Sequence, residues 1–387
     1  MTIKILGAGI GGLTTAIALK KKGFDVEVYE RHESRSDIGA GIICWPNASF
    51  VLNELGMLDD IALQSGMPVN MRRLSNEDKD LGVLNILKLN EIMGHLSFSI
   101  LRKDLMKTLE SHLFKHGIKV KYGKTIEKLV SDPSGSTSIH FEHGAIHHAD
   151  IIVGADGRMS SKTRAFVNDD NHPVYQGFIN WIGICETSEP IFSDIEVRDY
   201  WGVGKRFGIV PISSRKAYWA GGMAASKVGN KTPASYKSDL LDLFQGWPLP
   251  IETIINETLL ENINKIYVYD HNPMETWHRD NVLLIGDAAH APLPTSGQGA
   301  CQAIEDAWHL AEILEKNDGS LESLFQKFTT IRSPKTKNIT LGARQFASTL
   351  FSTDKLECEQ RNSNSMNTDY NSVIKGMAKS WSNGLPI

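Results

Sequence analysis

The chain has no apolar run approaching the roughly 18 residues of a membrane span, so no integral membrane segment is expected. The opening MTIKILGAGIGGLTTAIAL is apolar, but it carries glycines at turn spacing and no cleavage site after a basic stretch; it does not read as a leader. Cysteines are few. Cys44, Cys185, Cys301 and Cys358 lie far apart with no CxxC spacing, which points to incidental thiols of a reducing compartment and to a cytoplasmic location. Charge of one sign is also lacking: a net charge of −4 gives no electrostatic reason to expect nucleic acid or an anionic membrane as partner. His140, His143, His147 and His148 crowd one stretch, yet HFEHGAIHH reads as a hairpin about Gly144, and no metal is expected there.

What is present begins in the first thirty residues. Ile3 to Leu6 is a short apolar strand, Gly7-Ala8-Gly9-Ile10-Gly11-Gly12 follows, a helix is predicted from Leu13 to Lys22, and a second strand, Val26 to Tyr29, ends in Glu30. This is GxGxxG between strand and helix with an acid about 20 residues on, the setting of a dinucleotide site. Gly7 permits the turn, Gly9 lets backbone N–H groups approach a pyrophosphate, and Gly12 lets the helix pack on the strand. The helix start then offers unpaired N–H groups and its positive dipole end to phosphate. Glu30 suits an adenosine ribose and would repel a 2′-phosphate; its neighbour Arg31 is carried with it as a cofactor-binding candidate. The motif alone does not choose between FAD and NAD.

Two distant segments add to it. Residues 149–157 run from an apolar strand into Asp156-Gly157. Residues 282–290 form another such strand, ending in Gly286-Asp287, and Pro292, Pro294 and Gly297-Gln298-Gly299 precede a helix opening near Ala300. The second glycine turn at a helix start is a second anion site. A dinucleotide has two ends, which explains two such turns far apart in the chain.

Taken together, these blocks resemble the single-component flavoprotein hydroxylases, the group of para-hydroxybenzoate, salicylate and FAD-dependent urate hydroxylases, over roughly residues 1–345. The resemblance implies FAD as cofactor, NADH or NADPH as transient co-substrate, O2 as oxidant and an aromatic or heteroaromatic small molecule as substrate, hydroxylated through a C4a-hydroperoxyflavin. It implies that Glu30 meets the ribose, that Arg102 reaches the phosphates from a helix start, and that Asp287 meets the ribityl or pyrophosphate portion. It also implies that Pro294, Gly297 and Gly299 frame the helix start facing the flavin pyrimidine, and that Asp156 contributes to FAD and NAD(P)H contacts. The family turn runs Asp-Gly-x-x-Ser-x-x-Arg. Here Arg164 comes one residue late: either Ser161 and Arg164 keep the spacing after an insertion behind Gly157, or Ser160 is the serine and the arginine role is lost.

Between the flavin segments, residues 175–275 hold short β-type runs: 178–183, 206–212, 217–220 and 265–269. The fold expected is α/β, a Rossmann-like FAD-binding domain (1–174 plus 276–315) with an inserted mixed β-sheet substrate domain (175–275). C-terminal helices and a polar tail (316–387) complete it, the stretch beyond about 355 reading as loose with one short helix. Most tryptophans lie in or beside the insert, which suits an aromatic-lined pocket or plain core. The segments Trp45-Pro46-Asn47, Asn180-Trp181-Ile182-Gly183 and Gly204-Lys205-Arg206 resemble the urate hydroxylases most. By that resemblance Arg206 holds an anionic ring and Tyr218 lies close by, as the catalytic candidates; an edge arginine and a core tyrosine are the plain alternative. A two-residue loop at Ser214-Arg215 would put them on opposite sheet faces, a three-residue loop on one. The same fold would also serve inactivation of a tetracycline-type polycycle, or a regulatory flavoprotein without turnover, as a monomer or homodimer.

Overall fold

The computed structural model describes residues 1–35, 39, 41–316 and 318–387. Its first sheet takes strands from both ends of the fold. The order is His278–Arg279, Val282–Leu284, Ile151–Gly154, Thr2–Leu6, Asp25–Tyr29 and Val120–Lys121, parallel throughout except for the His278–Arg279 edge. The two strands read from distant segments flank each other because both are apolar on either face, as a sheet covered on both sides demands. Helix Ile10–Lys21 lies on this sheet beside helix Gly299–Lys316; the Cβ of Ala303 would stand 3.2 Å from a methyl on Gly11 and 3.3 Å from one on Gly286. The two glycine turns, distant in sequence, therefore converge on one side of one sheet.

The second sheet has seven strands: Asn264–Asp270, Val174–Glu186, Lys216–Ala224, Lys205–Pro211, Glu196–Trp201, Asn70–Ser75 and Asp80–Asn85. All neighbours are antiparallel except Glu196–Trp201 with Asn70–Ser75. The last two strands come from outside residues 175–275, so the sheet is closed by a hairpin that the first half of the chain supplies. Trp181, Phe207 and Trp219 point to its far face, where they pack with Tyr236, Leu240, Phe244, Ile251 and Ile254 of two short helices. Trp181, Trp219 and Trp247 thus belong to a separate hydrophobic layer, on the face opposite Trp201 and Arg206. On the near face, Phe178 and Trp201 are covered by Ala343, Ala347, Leu350 and Phe351 of the long helix Leu321–Leu350.

The histidine-rich stretch is a hairpin, Thr137–Phe141 with Ile146–His148, turning through His143 and Gly144 at positive φ. The stretch beyond 355 departs from the loose tail expected of it. It forms two helices, Lys355–Met366 and Tyr370–Ser382, each started by an aspartate whose carboxylate accepts first-turn N–H groups, Asp354 from Leu356 and Glu357, Asp369 from Asn371. Polar composition hid these caps and the stripe Ile374, Ala378 and Trp381, which lies at helical spacing and is buried. Among the described residues, no helix is long and apolar enough to cross a membrane.

Candidate active site

The first turn is shaped by backbone crowding. Gly7 sits at φ +118°, and a methyl there would run into the Ala155 carbonyl; one on Gly12 would run into the carbonyl of Gly7. A methyl on Gly9 would meet nothing within 4 Å. Gly9 is the N-cap of helix Ile10–Lys21, and no side chain caps that helix. The helix start thus opens onto space beside free N–H groups, which fits a pyrophosphate. Glu30 closes one end: its carboxylate accepts the Ala8 N–H at 2.9 Å and the His32 N–H at 3.0 Å. Burial would raise this carboxyl, but those bonds and the His32 ring outweigh it and hold it low, so Glu30 stands there as an anion. Arg31 reaches across to donate to the Ser160 hydroxyl at 2.8 Å. Arg102 opens helix Arg102–Lys115 and lies beside Gly39.

The second turn is buttressed from behind. Pro294–Ser296 form a single helical turn, Gly297 takes φ +62°, and helix Gly299–Lys316 follows. Trp45 Nε1 donates to the Gly297 carbonyl at 3.1 Å, and the Asn47 amide donates to Gln298 at 3.0 Å and to Glu305 at 2.6 Å, so Trp45-Pro46-Asn47 is the brace of this turn. Beneath the helix lies a buried ion cluster. Arg332 donates to Asp306 at 2.7 Å and to Glu305 at 2.6 Å, Lys335 to Glu305 at 2.7 Å, and His290 to the other Asp306 oxygen at 2.6 Å. That oxygen also accepts the Gly286 N–H at 2.8 Å, which ties the cluster to the Gly286-Asp287 turn. Lys335 ends on the carbonyls of Trp381 and Asn383.

Behind Gly157, Ser161 and Arg164 both make contacts that hold the neighbouring turns. Ser161 caps helix Lys162–Asn168 by accepting the Arg164 N–H at 2.8 Å. The buried Arg164 guanidinium donates to the carbonyls of Ala288 at 2.9 Å and Ala289 at 3.2 Å, holding the Asp287 turn. The Asp156 carboxylate is spent within its own turn on Ser161 and Thr163. Burial pushes it up, against those bonds. Asp287 pairs with the extra residue, Arg158, at 2.9 Å.

Arg206 and Tyr218 come together. Ile212 and Ser213 N–H groups both donate to the Lys216 carbonyl, which leaves a three-residue loop, Ser213 to Arg215. In the resulting register Arg206 faces Gly222 and Val210 faces Tyr218, so both candidates point to the same face of the sheet. Tyr218 packs onto Gly41, where a methyl would run into its ring. Burial pushes its phenol well above the usual range; the thiols of Cys44 and Cys301 add to this and the Arg206 guanidinium opposes it. It is therefore a neutral hydrogen-bond group between the sheet and the first turn of the flavin-side helix. Arg206 Nε donates to Asp199 at 2.6 Å.

Asp199 and Gly41 escaped the sequence reading, and Asn180 was named there only within the segment Asn180-Trp181-Ile182-Gly183. Asp199 shares the face of Arg206, and Asn180 stands opposite Gly222 in the same cross-strand row. Gly41 clears room for Tyr218. Alternation within each strand was readable, but the register joining the strands was not, and only register puts Asp199 and Asn180 on the face of Arg206.

Comparison with known proteins agrees with this geometry. The FAD binding domain family matches residues 1–340. The chain is 30% identical over 348 residues to the aurachin C monooxygenase/isomerase of Stigmatella aurantiaca, covering 89% of this chain and 88% of that protein. It is 28% identical over 383 residues to an FAD-dependent urate hydroxylase of Mycolicibacterium vanbaalenii, covering 97% and 95%. The structure of Klebsiella pneumoniae HpxO complexed with FAD and uric acid matches at a TM-score of 0.90 with 26% identity, over all of this chain and 97% of that one. With its glycine turns, braced helix starts and facing sheet, the chain belongs to the FAD binding domain family, among the FAD-dependent aromatic hydroxylases.

Proposed function

We propose that this protein is an FAD-dependent monooxygenase that uses NADH or NADPH and O2 to hydroxylate an aromatic or heteroaromatic small molecule. When bound, FAD supplies the redox chemistry, taking a hydride and activating O2 for transfer of one oxygen atom to the ring. The chain's own residues bind and orient. Gly7, Gly9 and Gly12 with the start of helix Ile10–Lys21 hold the pyrophosphate, Glu30 the ribose, and Arg31 and Arg102 flank the phosphate side. Asp287, whose turn Arg164 keeps in place, would hold the ribityl chain, and Asp156 holds the neighbouring turn. The helix start framed by Pro294, Gly297 and Gly299 would put positive potential on a reduced flavin held there. Arg206 donates to a ring oxygen, and Tyr218, neutral at ordinary pH, adds a donor.

The observation that carries this reading is the shared face of Arg206 and Tyr218, pressed through Gly41 against the flavin-side elements. The relatives act in the same chemical range: one is a urate hydroxylase and another a 3-amino-4-hydroxybenzoate 2-monooxygenase. The test is a panel of hydroxylated aromatics, N-heteroaromatics and a tetracycline added to the yellow protein, with NADH and NADPH oxidation and product mass followed together. A ring that accelerates oxidation and gains one oxygen atom supports the reading; a flavin that no ring perturbs and no nicotinamide reduces contradicts it.

A further inference from the structure

We infer that Ala220, Ile182 and Ile184 form the floor of the substrate site, and that this floor selects a flat fused-ring molecule carrying an oxygen, its apolar body on the floor and its oxygen on Arg206. This rests on the substrate face described above and narrows it. Strands Val174–Glu186 and Lys216–Ala224 lie inside the seven-stranded sheet, and their burial alternates with the pleat. Trp181, Cys185, Ala217 and Trp219 are buried on the far face, whereas Ile182, Ile184, Tyr218 and Ala220 stay half-buried on the face of Arg206. Apolar side chains left part-open in the middle of a sheet, with polar groups at their rim, mark a ligand surface.

The part-open strip lies between two walls. At one end a methyl on Gly222 would run into Asn180 Oδ1 and come within 3.0 Å of the Phe351 ring, so that row is already filled. At the other end the Tyr218 ring packs onto Gly41. Ala220 lies midway, and the walls at Gly222 and Tyr218 are four residues apart, about 13 Å along the strand. Across the strip, Ala220 faces Ile182 on one neighbouring strand and Gly208 on the other, while Ile184 faces Tyr218. A small side chain ringed by larger ones makes Ala220 the low point of the floor.

Arg206 is held at the side of this floor. Its guanidinium lies over Gly208, where a methyl would stand 3.2 Å from Nη2, and its Nε donates at 2.6 Å to Asp199, the residue opposite Gly208. It therefore borders Ala220 without covering it, and among the described residues its terminal nitrogens have no partner in the chain. An apolar floor with a few donors at its edge is the make-up of a small-molecule site. A single ring held by Arg206 covers Ala220 and leaves the isoleucines to water. A second, fused ring covers Ile182 and Ile184 as well and adds its burial to binding.

The experiment titrates the FAD-loaded protein with phenol and with 2-naphthol, reading dissociation constants from the change in flavin absorbance while NADH and NADPH oxidation is followed in parallel. Wild type is expected to bind 2-naphthol at least about tenfold more tightly. Ile182→Thr keeps a β-branched strand former and removes apolar surface from the floor; it should narrow that ratio at least about threefold. Ala220→Leu fills the low point and should weaken 2-naphthol at least about tenfold. A wild-type ratio below about threefold overturns the inference. So does an unmoved ratio in flavin-loaded Ile182→Thr, or undiminished 2-naphthol binding by flavin-loaded Ala220→Leu. Should one variant lose its flavin, the other decides, and should both, the wild-type ratio does. A flavin spectrum moved by neither ring contradicts the inference and the substrate face together. The expected ratios without stimulated oxidation support the inference while contradicting the hydroxylase reading; stimulated oxidation with unmoved ratios does the reverse.

Discussion

The polar cluster behind helix Gly299–Lys316 and the polar groups on the sheet face are built on opposite plans. Behind helix Gly299–Lys316, the acids Glu305 and Asp306 meet Arg332, Lys335 and His290, with side chains 0–4% exposed and each charge spent on a partner. On the sheet face, Asn180 is 4% exposed and the Arg206 side chain 21%, and among the described residues neither the Asn180 amide nor the terminal nitrogens of Arg206 have a partner in the chain. A closed cluster can only hold shape, and here it holds the Gly286 N–H and the carbonyls of Trp381 and Asn383, fixing the flavin-side turn to the last helix. An open row costs stability until a ligand completes it. The contrast separates scaffold from site without reference to any other protein.

The sharpest way to break that contrast is at Arg332. Arg332→Ala strands two buried carboxylates and should cost about 3–5 kcal/mol in urea unfolding. A loss below about 1 kcal/mol would mean the cluster is not the support described. Arg206→Gln should fall mainly on function: unfolding lowered by about 1–2 kcal/mol, since the buried Asp199 keeps an N–H donor but loses its countercharge, and substrate-stimulated oxidation down about a hundredfold. If Arg206→Gln unfolds the protein, or Arg332→Ala spares the fold and alters only ring selectivity, the division between the clusters fails.

A pH experiment probes the edge of the closed cluster. His309 is buried, with the Arg332 charge nearby, and its pKa falls from 6.5 to about 3. Its folded state therefore stays neutral while the unfolded chain takes up a proton below 6.5. The stability it allows is complete above that pH and declines as pH falls towards 3, by up to roughly 3 kcal/mol at acid pH. His309→Gln should flatten this part of the stability profile; an unchanged slope between pH 6.5 and 4 would contradict the assignment. The smallest effect is expected at Glu30. Glu30→Gln leaves the fold intact and weakens FAD about tenfold, read by fluorescence on dilution. Equal affinity would remove Glu30 from the ribose position.

Sequence reading reached different depths in the two regions. The flavin frame was legible because each piece carries a local signature: Gly7, Gly9 and Gly12 between strand and helix, Glu30 after the next strand, Gly297 and Gly299 before another helix. The sheet face was legible only in part. Arg206 and Tyr218 could be named, but whether they share a face hung on the length of one loop, and Asp199 and Asn180 join them only through pairing across four strands. The closing hairpin, Asn70–Asn85, was invisible for the same reason. Composition misled at residues 355–387, where Asp354 and Asp369 start helices that polar content concealed.

The account stands on the convergence of the glycine turns near Gly9 and Gly297 upon a single flavin. The direct measurement is bound FAD per chain, from visible absorbance after supplying FAD, for wild type and for Gly12→Val, whose side chain has no room against Gly7. The account predicts a yellow wild type holding one flavin per chain and a variant that holds none. A wild type that stays colourless, or a variant that keeps its full flavin, would contradict it.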